Sequence, residues 1–405
     1  MAASAGMTEA LSDDLLGEIL IRLPSLPDLG RACGTCTAFR RVIASRSFLR
    51  RVHALHPPSL LGLRNYYGGF QPVEQPHASV VAGGAVGQAA DFRFRSLPDP
   101  GFWAVRDARD GRFVLDLDEK KDSTFTTIAV CDPLFRRHVL LPPIPGDLAA
   151  AVDQEPFAIS DCCRRRCEIF LVPCGEAATA TEEAEASVPF KIIWMAQCPT
   201  KLVVFLFSSA SSQWRAIAAP SWKDMDPAMA PVAEEKPMFW RSYAHGCFYW
   251  SLHRSLHRCL NLVALNAGTM EFSTVGGPPR SDINDEMAAV ELGESKLGIF
   301  RFSNCDSVLE LYCASQGQGA NNKWALQNIV SLPTPYTRML GVAEGKLILQ
   351  TRRRLGLELE FRCVSLDFKT LQLQTVRETL RGGYCSRALP VIYAGYPPSL
   401  SSPTV

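Results

Sequence analysis

Short strand-forming runs that restart at a regular interval constrain the fold of this chain more than any other feature. Four turn-forming pairs lead directly into apolar runs, at Asp110-Gly111, His245-Gly246, Glu294-Ser295 and Glu344-Gly345. The last three pairs are about 50 residues apart, and the longer gap before them is close to three such intervals. Each pair is therefore predicted to be a tight turn that feeds a β-strand.

A second pattern recurs at about twice that interval. The segment 263–275, which begins Val-Ala-Leu-Asn, matches the segment 364–376, which begins Val-Ser-Leu-Asp, and 130–141 looks like a third, degenerate copy. A period of about 45 to 50 residues with several short strands per unit is typical of β-propeller blades, and kelch repeats are the nearest named case. We count about six units.

A closed ring is the arrangement that protects such units, because one four-stranded blade leaves a hydrophobic face and its edges exposed. Hydrophobic residues make up 47% of the chain, which suffices for a packed interior. We therefore predict an all-β, propeller-like domain of about six blades over residues 91–400, kelch-like in its repeats. Residues 91–97 and 389–396 are predicted to share one blade and so join the ends. A β-sandwich is the alternative.

The first part of the chain follows a helical pattern instead. Apolar residues from Leu11 to Leu23 are spaced as on one face of a helix, which Ser12 can cap and Pro24 ends. Three further short helices are predicted before His56. The beginning of the chain should therefore be a layer of four short helices.

The fold class that follows is α+β and multidomain. A small all-α module at 8–56 is predicted to precede a linker leading into the β domain at 57–90, and the β domain occupies 91–400. Helices this short bury too little apolar surface to be stable alone. Either the helical layer packs on the downstream domain, or another protein covers it.

A set of spacings in the helical module matches a known family. The features are Leu11-x-x-x-Leu15-Leu16-x-x-Ile19-Leu20, Leu23-Pro24, Leu26 to Leu29, Arg31-Ala32-Cys33, and Cys36-x-x-Phe39-Arg40 leading to Ile43. Together they resemble the F-box of plant, grass-type proteins. Two positions depart from the common pattern, because Ser12 stands where many F-boxes have proline and Phe39 where many have tryptophan.

The resemblance implies a non-catalytic adaptor, the substrate-receptor subunit of a Skp/cullin/F-box ubiquitin ligase. It implies that the F-box binds a Skp-type adaptor and, through it, a cullin scaffold. The β region is similar to F-box-associated propeller domains, which implies that it binds an unknown protein target. By resemblance, the adaptor contacts are the apolar residues Leu11, Leu15, Leu16, Ile19, Leu20, Leu23, Pro24, Leu26, Leu29, Cys33, Phe39 and Ile43.

Charge and composition restrict the classes of partner and the cellular compartment that we expect for this protein. The formal net charge is +1, so no nucleic-acid partner is expected. No uninterrupted apolar run is long enough to cross a bilayer, so we expect a soluble protein with no membrane contact. The 14 cysteines are too dilute for a disulfide framework, which favours a reducing compartment, cytoplasmic and/or nuclear.

No cofactor, metal or catalytic residue is predicted. The sequence contains no P-loop, no GxSxG elbow and no full dinucleotide-binding fingerprint. His253 and His257 have the spacing to share a helix face, but no third metal ligand is nearby. Cys33 and Cys36 have CxxC spacing, yet they fall in a helix where small apolar side chains are needed.

A second function class stays open at this point. A β-propeller can bind peptide or glycan outside any ligase, and the helical segment would then serve as an internal cap. Four aromatic residues of the β region are candidates for contact with a partner, although a core position suits each of them better. They are Trp103, Trp240, Tyr243 and Trp250.

Overall fold

The residues that the structure describes form six β-sheets, the architecture of a six-bladed β-propeller. The computed structural model describes residues 11–405 apart from 24–25, 57, 66–68, 99–102, 118–123, 153–155, 158–166, 174–188, 226–237, 253–258, 280–284, 294–295, 304–306, 316–322, 333–336, 356–357, 379–388 and 402. Five sheets have four strands, and one has three. The prediction of about six blades is confirmed, and the chain does not form the alternative β-sandwich.

The strands of five blades follow one another in sequence order and pair with antiparallel neighbours. The strands are β1 (Ser59–Arg64), β2 (Phe70–Pro72), β3 (Trp103–Arg109), β4 (Arg112–Leu117), β5 (Ile128–Asp132), β6 (Arg137–Leu140), β7 (Glu168–Val172), β8 (Lys191–Gln197), β9 (Leu202–Ser208), β10 (Gln213–Ile217), β11 (Met238–Ala244), β12 (Cys247–Leu252), β13 (Cys259–Asn266), β14 (Phe272–Pro279), β15 (Glu286–Glu291), β16 (Leu297–Ser303), β17 (Val308–Ser315), β18 (Lys323–Ser331), β19 (Thr337–Ala343), β20 (Lys346–Leu355), β21 (Glu358–Asp367), β22 (Leu373–Arg377) and β23 (Val391–Gly395). The first to fifth blades are β3 to β6, β7 to β10, β11 to β14, β15 to β18 and β19 to β22, and the closing blade is β1, β2 and β23.

Four of the described helices lie within the first 55 residues, and three more lie further along the chain. They are α1 (Asp13–Leu20), α2 (Leu26–Thr35), α3 (Thr37–Ile43), α4 (Arg46–Leu55), α5 (Val80–Ala89), α6 (Gly146–Ala149) and α7 (Trp222–Met225). The Ser12 side chain caps α1 by accepting a hydrogen bond from the Leu15 amide at 3.4 Å. None of the described helices has the length and apolar character needed to span a bilayer.

Three of the four predicted turns join the first and second strands of a blade. In each, two successive residues adopt left-handed backbone conformations, which is the geometry of a type I′ hairpin turn and matches the twist of the strands. The pairs are Asp110 and Gly111, His245 and Gly246, and Glu344 and Gly345. Glu294-Ser295, the fourth, lies outside the described residues.

The second repeated pattern corresponds to the outer half of a blade. Its two clear copies are the third and fourth strands of the third and fifth blades, β13 with β14 and β21 with β22. The degenerate copy is the same pair in the first blade, β5 with β6. The sequence repeat is therefore a structural repeat.

The ends of the chain meet in the closing blade. β23 contacts β19 of the fifth blade and β3 of the first blade, so it holds the position that a first strand holds elsewhere. Its hydrogen-bonded partner is β1, in a register that aligns Leu63 with Ile392. The prediction that residues 91–97 and 389–396 share one blade is wrong for 91–97, because Asp91 to Leu97 forms successive turns and the strand beside 391–395 is β1.

The segment 57–90, predicted to be a linker, contains β1, β2 and α5. Gly83 lies where α5 meets the closing blade, and a Cβ atom there would stand 2.3 Å from the Leu61 carbonyl oxygen. Glycine and alanine in this segment therefore permit close packing of a helix on a sheet. The propeller begins at Ser59.

Side chains of one blade accept hydrogen bonds from the backbone of the next. Asp107 accepts from the Leu171 amide at 2.9 Å. Glu286 accepts from the Met339 amide at 2.7 Å. A buried amide without a hydrogen-bond acceptor destabilises the folded state. These contacts supply an acceptor and so stabilise the ring where two blades meet.

Candidate functional site: the first helix and the propeller centre

Three large apolar side chains on α1 and just before it are exposed to solvent. Leu11, Leu15 and Ile19 follow one another at four-residue spacing and are 38%, 54% and 55% exposed. We call these three residues the apolar stripe. Leu15 and Ile19 lie on one side of α1, because residues four apart share a helix face, and Leu11 lies two residues before the helix begins.

The opposite face of α1 is buried within the helical layer. Leu16 and Leu20 are 2% and 3% exposed and belong to a cluster with side chains from α2, α3 and α4. Gly17 lies against this cluster too, because a Cβ there would be 3.8 Å from both Phe48 and Val42. The helix therefore has two apolar faces, and only one of them packs inside the helical layer.

The twelve residues predicted to bind an adaptor fall into four groups. Leu11, Leu15 and Ile19 form the apolar stripe. Leu23 and Phe39 are partly buried against the helical cluster. Pro24 lies outside the described residues. The remaining six are interior residues of the cluster, namely Leu16, Leu20, Leu26, Leu29, Cys33 and Ile43.

Two surface ion pairs hold α1 against its neighbours. Asp13 pairs with Arg41 of α3 in a two-pronged contact at 2.6 and 3.0 Å. Glu18 pairs with Arg51 of α4 at 2.8 Å. The hydrogen bonds from Arg41 lower the pKa of Asp13 below its ordinary value. Both pairs are exposed, so they orient the helix more than they stabilise it.

The helical layer meets the rest of the molecule through the C-terminal segment. Leu400 is fully buried in the helical cluster, and its carbonyl lies 2.9 Å from His53 Nε2. Tyr396 stacks on the His53 ring at 3.8 Å and donates a hydrogen bond to the His56 carbonyl at 2.8 Å. No described strand residue belongs to this cluster, and Leu15 and Ile19 of the apolar stripe are more than half exposed.

A network of charged side chains joins the first three blades at their first strands. Arg241 of β11 reaches Asp107 of β3 at 3.3 Å and Glu168 of β7 at 3.5 Å. The guanidinium also lies over the Phe170 ring, 4.2 Å from its centroid. The indole of Trp250 donates to Glu168 at 3.4 Å. Each carboxylate already has donors, so this network is a structural junction.

The aromatic residues that were candidates for partner contact mostly serve the core. Trp250 is fully buried in the cluster shared by the second and third blades. Tyr243 packs against that same cluster, and Trp103 packs against the cluster of the closing and first blades. Trp240 is partly buried, with Arg338 5.9 Å from its ring centroid. None of the four is fully exposed.

No protein-family model matches the sequence, and no curated protein matches it. Solved structures with similar shape include the Dos1 propeller, with 6% identity, a TM-score of 0.32, and coverage of 70% of this chain and 61% of that chain. The β-propeller domain of the Trilobed protease from Pyrococcus furiosus has 8% identity, a TM-score of 0.33, and coverage of 68% and 71%. Citrobacter koseri AztD has 12% identity, a TM-score of 0.30, and coverage of 73% and 63%.

This chain therefore spans less than two thirds of the length of the Dos1 propeller and AztD chains. At these identities and TM-scores the comparisons carry no functional argument. The assignment of a β-propeller depends on the order and pairing of the strands.

The described cysteines have structural contacts or lie in buried positions. Cys36 caps α3 by accepting a hydrogen bond from the Phe39 amide, while Cys33 is buried in the helical cluster. Burial raises the pKa of the Cys131 thiol to about 12. Within the described ranges no three His, Cys, Asp or Glu side chains are grouped to hold a metal ion, and His253 and His257 lie outside those ranges.

Sequence reasoning did not anticipate that α1 carries apolar residues on two faces. The signal was present, because Leu15 with Leu16 and Ile19 with Leu20 are adjacent pairs. Adjacent residues of a helix point about 100° apart, so two such pairs cannot all lie on one narrow face.

Proposed function

We propose that this chain is the substrate-receptor subunit of a Skp/cullin/F-box ubiquitin ligase. In this proposal the apolar stripe of α1 binds a Skp-type adaptor, which links the chain to a cullin scaffold, and the propeller binds the protein target. The chain itself performs no catalysis, and it acts in the cytoplasm, the nucleus or both.

The observation that carries the proposal is the exposure of Leu11, Leu15 and Ile19 beside a fully formed helical core. Large apolar side chains in a row on an exposed helix are unfavourable in water and are typical of a surface that a partner covers. The buried side of α1 already has its own packing, so the stripe is available for a second protein. The resemblance to the F-box implies that this second protein is a Skp-type adaptor.

The ion pairs of α1 support this assignment. Arg41 and Arg51 hold the helix by its polar edges, through Asp13 and Glu18, and leave the stripe uncovered. A pre-ordered helix loses little conformational entropy on binding, which favours affinity.

The test is calorimetric titration of the full chain with a recombinant Skp-type adaptor. We expect Leu15→Ala and Ile19→Ala each to weaken binding by about 2 kcal/mol, roughly 30-fold in Kd, because each removes a buried interface anchor. Both residues are more than half exposed in the free chain, so its unfolding free energy should change by less than about 0.5 kcal/mol.

Two matched controls on α1 and its end make the result specific. Arg22→Ala alters an exposed polar residue just after the helix and should leave adaptor affinity unchanged. Leu16→Ala should destabilise the chain by about 2 to 5 kcal/mol, because Leu16 is 2% exposed in the helical core. Wild-type affinity in both stripe variants would contradict the proposal.

A second candidate is a propeller binding module for peptide or glycan that works outside any ligase, with the helical layer as an internal cap. The contacts of Leu400 and Tyr396 with the helical layer favour it, because they tie that layer to the same chain. Copurification separates the two functions. Copurification of a stoichiometric Skp-type adaptor supports the ligase subunit. A stable monomer that does not bind the adaptor supports the stand-alone module.

A further inference from the structure

A cavity of about 590 Å³ opens on the rim of the ring, where the closing blade meets the first blade. Its walls come from Gly69 and Phe70, the end of α5, the turns after Asp91, and Arg136 in the turn between β5 and β6. The Asp91 amide donates to the Pro133 carbonyl at 2.8 Å, which joins two of these walls. The volume lies in the range of pockets that hold small ligands or a few peptide residues.

Two arginines in this cavity have free guanidinium groups. Arg93 and Arg95 are exposed and line the cavity. Their backbone amides are hydrogen-bonded, yet neither guanidinium has a hydrogen-bond or ion-pair partner in the part of the chain that the structure describes. Free guanidinium groups in a concave site bind oxyanions through paired N–H donors.

The remaining charges of the cavity leave it positive. Asp91 is its acidic residue, and both carboxylate oxygens accept backbone hydrogen bonds, from Arg93 at 3.1 Å and from Arg95 at 2.8 Å. Arg136 also lines the cavity and donates to the Ala89 carbonyl at 3.3 Å, at the negative end of the α5 dipole. The lining therefore carries three arginines and one aspartate, and the carboxylate of that aspartate already accepts two amide hydrogen bonds.

The cavity also offers an apolar surface. Phe70 is partly buried and stacks on the buried Phe92, with ring centroids 4.0 Å apart, and both residues line the cavity. Gly87, another lining residue, lies against the Phe70 ring, since a Cβ at that position would stand 3.2 Å from it. A ligand that joins an oxyanion to an apolar group would match both parts of the site.

We propose that this cavity binds a peptide segment of a partner protein that carries a phosphate or carboxylate group, with Arg93 and Arg95 as its ligands. The cavity holds three arginines and the net charge of the chain is +1, whereas a nucleic acid needs an extended basic track, which disfavours that class of ligand. The inference rests on the proposed function in one respect, that the propeller is the part that binds the target.

The test uses the full chain and three immobilised libraries of random peptides that differ at one fixed central residue: phosphoserine, glutamate or serine. We expect retention on the phosphoserine library, the glutamate library or both, and release by inorganic phosphate. Retention on phosphoserine alone assigns phosphate as the ligand group, and retention on both assigns the shared oxyanion chemistry. Equal retention on the serine library would overturn the proposal.

Variants locate the site. Arg93→Ala and Arg95→Ala should each lower affinity for the retained peptides roughly 10- to 100-fold, because each removes a charge-assisted hydrogen bond. Arg95→Lys should fall in between, since it keeps the charge but loses the paired donors. Arg215→Ala, an exposed arginine of β10 outside the cavity, is the control and should bind like wild type.

Three outcomes would overturn the inference: no retention on any library, wild-type affinity in both alanine variants, or displacement of the peptides by a single-stranded oligonucleotide that the alanine variants still bind. No adaptor is present in this assay. Failure here is therefore distinguishable from failure of the adaptor titration.

Discussion

At the scale of single residues, one turn capped by an Asn or Asp side chain recurs in three blades. Asn266, Asp367 and Asp132 each end the third strand of a blade, and the side-chain oxygen of each accepts the amides two and three residues further on. The residue four positions later is left-handed each time, namely Met270, Leu371 and Arg136. The repeats have lost most sequence identity, yet this turn chemistry survives because the hairpin needs it.

This side-chain-capped turn predicts which substitutions of Asp367 the protein tolerates. Asp367→Asn should change the unfolding free energy by less than about 0.5 kcal/mol at neutral pH, because Asn266 performs the same role in the third blade. Asp367→Ala should cost about 1 kcal/mol, since the amides of Lys369 and Thr370 lose their acceptor. Thermal or chemical unfolding measures both, and equal stability of the two variants would contradict the expectation.

Comparison of wild type with Asp367→Asn also tests how the stability contributed by Asp367 depends on pH. The amide hydrogen bond from Thr370 lowers the pKa of Asp367 below its ordinary value of 3.8. A lowered pKa in the folded state contributes stability that is present above the ordinary value and is lost as the pH falls through the folded value. The small advantage of wild type over Asp367→Asn should therefore be constant above about pH 5 and shrink below it.

At the scale of elements, α5 illustrates how composition misleads. A stretch rich in glycine and alanine was predicted to be a linker, and it forms a ten-residue helix. Glycine has low helix propensity, but Gly83 allows the helix to lie against the Leu61 carbonyl, and the packing outweighs the propensity. Tertiary contact therefore decides the structure of this segment.

Two adjacent glycines of α5 test this explanation. Gly83→Ala should destabilise the chain by about 3 kcal/mol, because its Cβ would overlap the Leu61 carbonyl oxygen. Gly84→Ala meets no atom within 4 Å and should stabilise the helix by up to about 1 kcal/mol. Equilibrium unfolding of both variants gives the comparison. The explanation fails if the two substitutions have the same effect.

At the scale of the whole molecule, the ring is held closed by its last strand. Tyr393 of β23 is 3% exposed and stacks on Phe113 of the first blade, with ring centroids 5.4 Å apart. It also meets Phe92 edge-on at 5.1 Å and Phe70 of the closing blade at 5.9 Å. One side chain near the end of the chain therefore packs on two blades.

Tyr393 should accordingly be a major contributor to stability. Tyr393→Ala is expected to lower the unfolding free energy by about 3 to 5 kcal/mol, because it leaves a cavity where the two blades meet. Tyr393→Phe keeps the ring, and the hydroxyl has no hydrogen-bond partner among the described residues, so this control should remain within about 1 kcal/mol of wild type. A mild effect of the alanine substitution would indicate that the ring is closed by other contacts.

The sequence alone determined the strand-rich units, their number and the helical start, because hydrophobic periodicity and turn chemistry are local properties. Asp110-Gly111 and Glu344-Gly345 specify their hairpins without reference to the rest of the chain. Only the tertiary structure decided that β1 pairs with β23, that Leu15 is exposed while Leu16 is buried, and that Arg93 and Arg95 face a cavity. These features depend on contacts between residues far apart in the chain, and no local pattern encodes which distant segments meet.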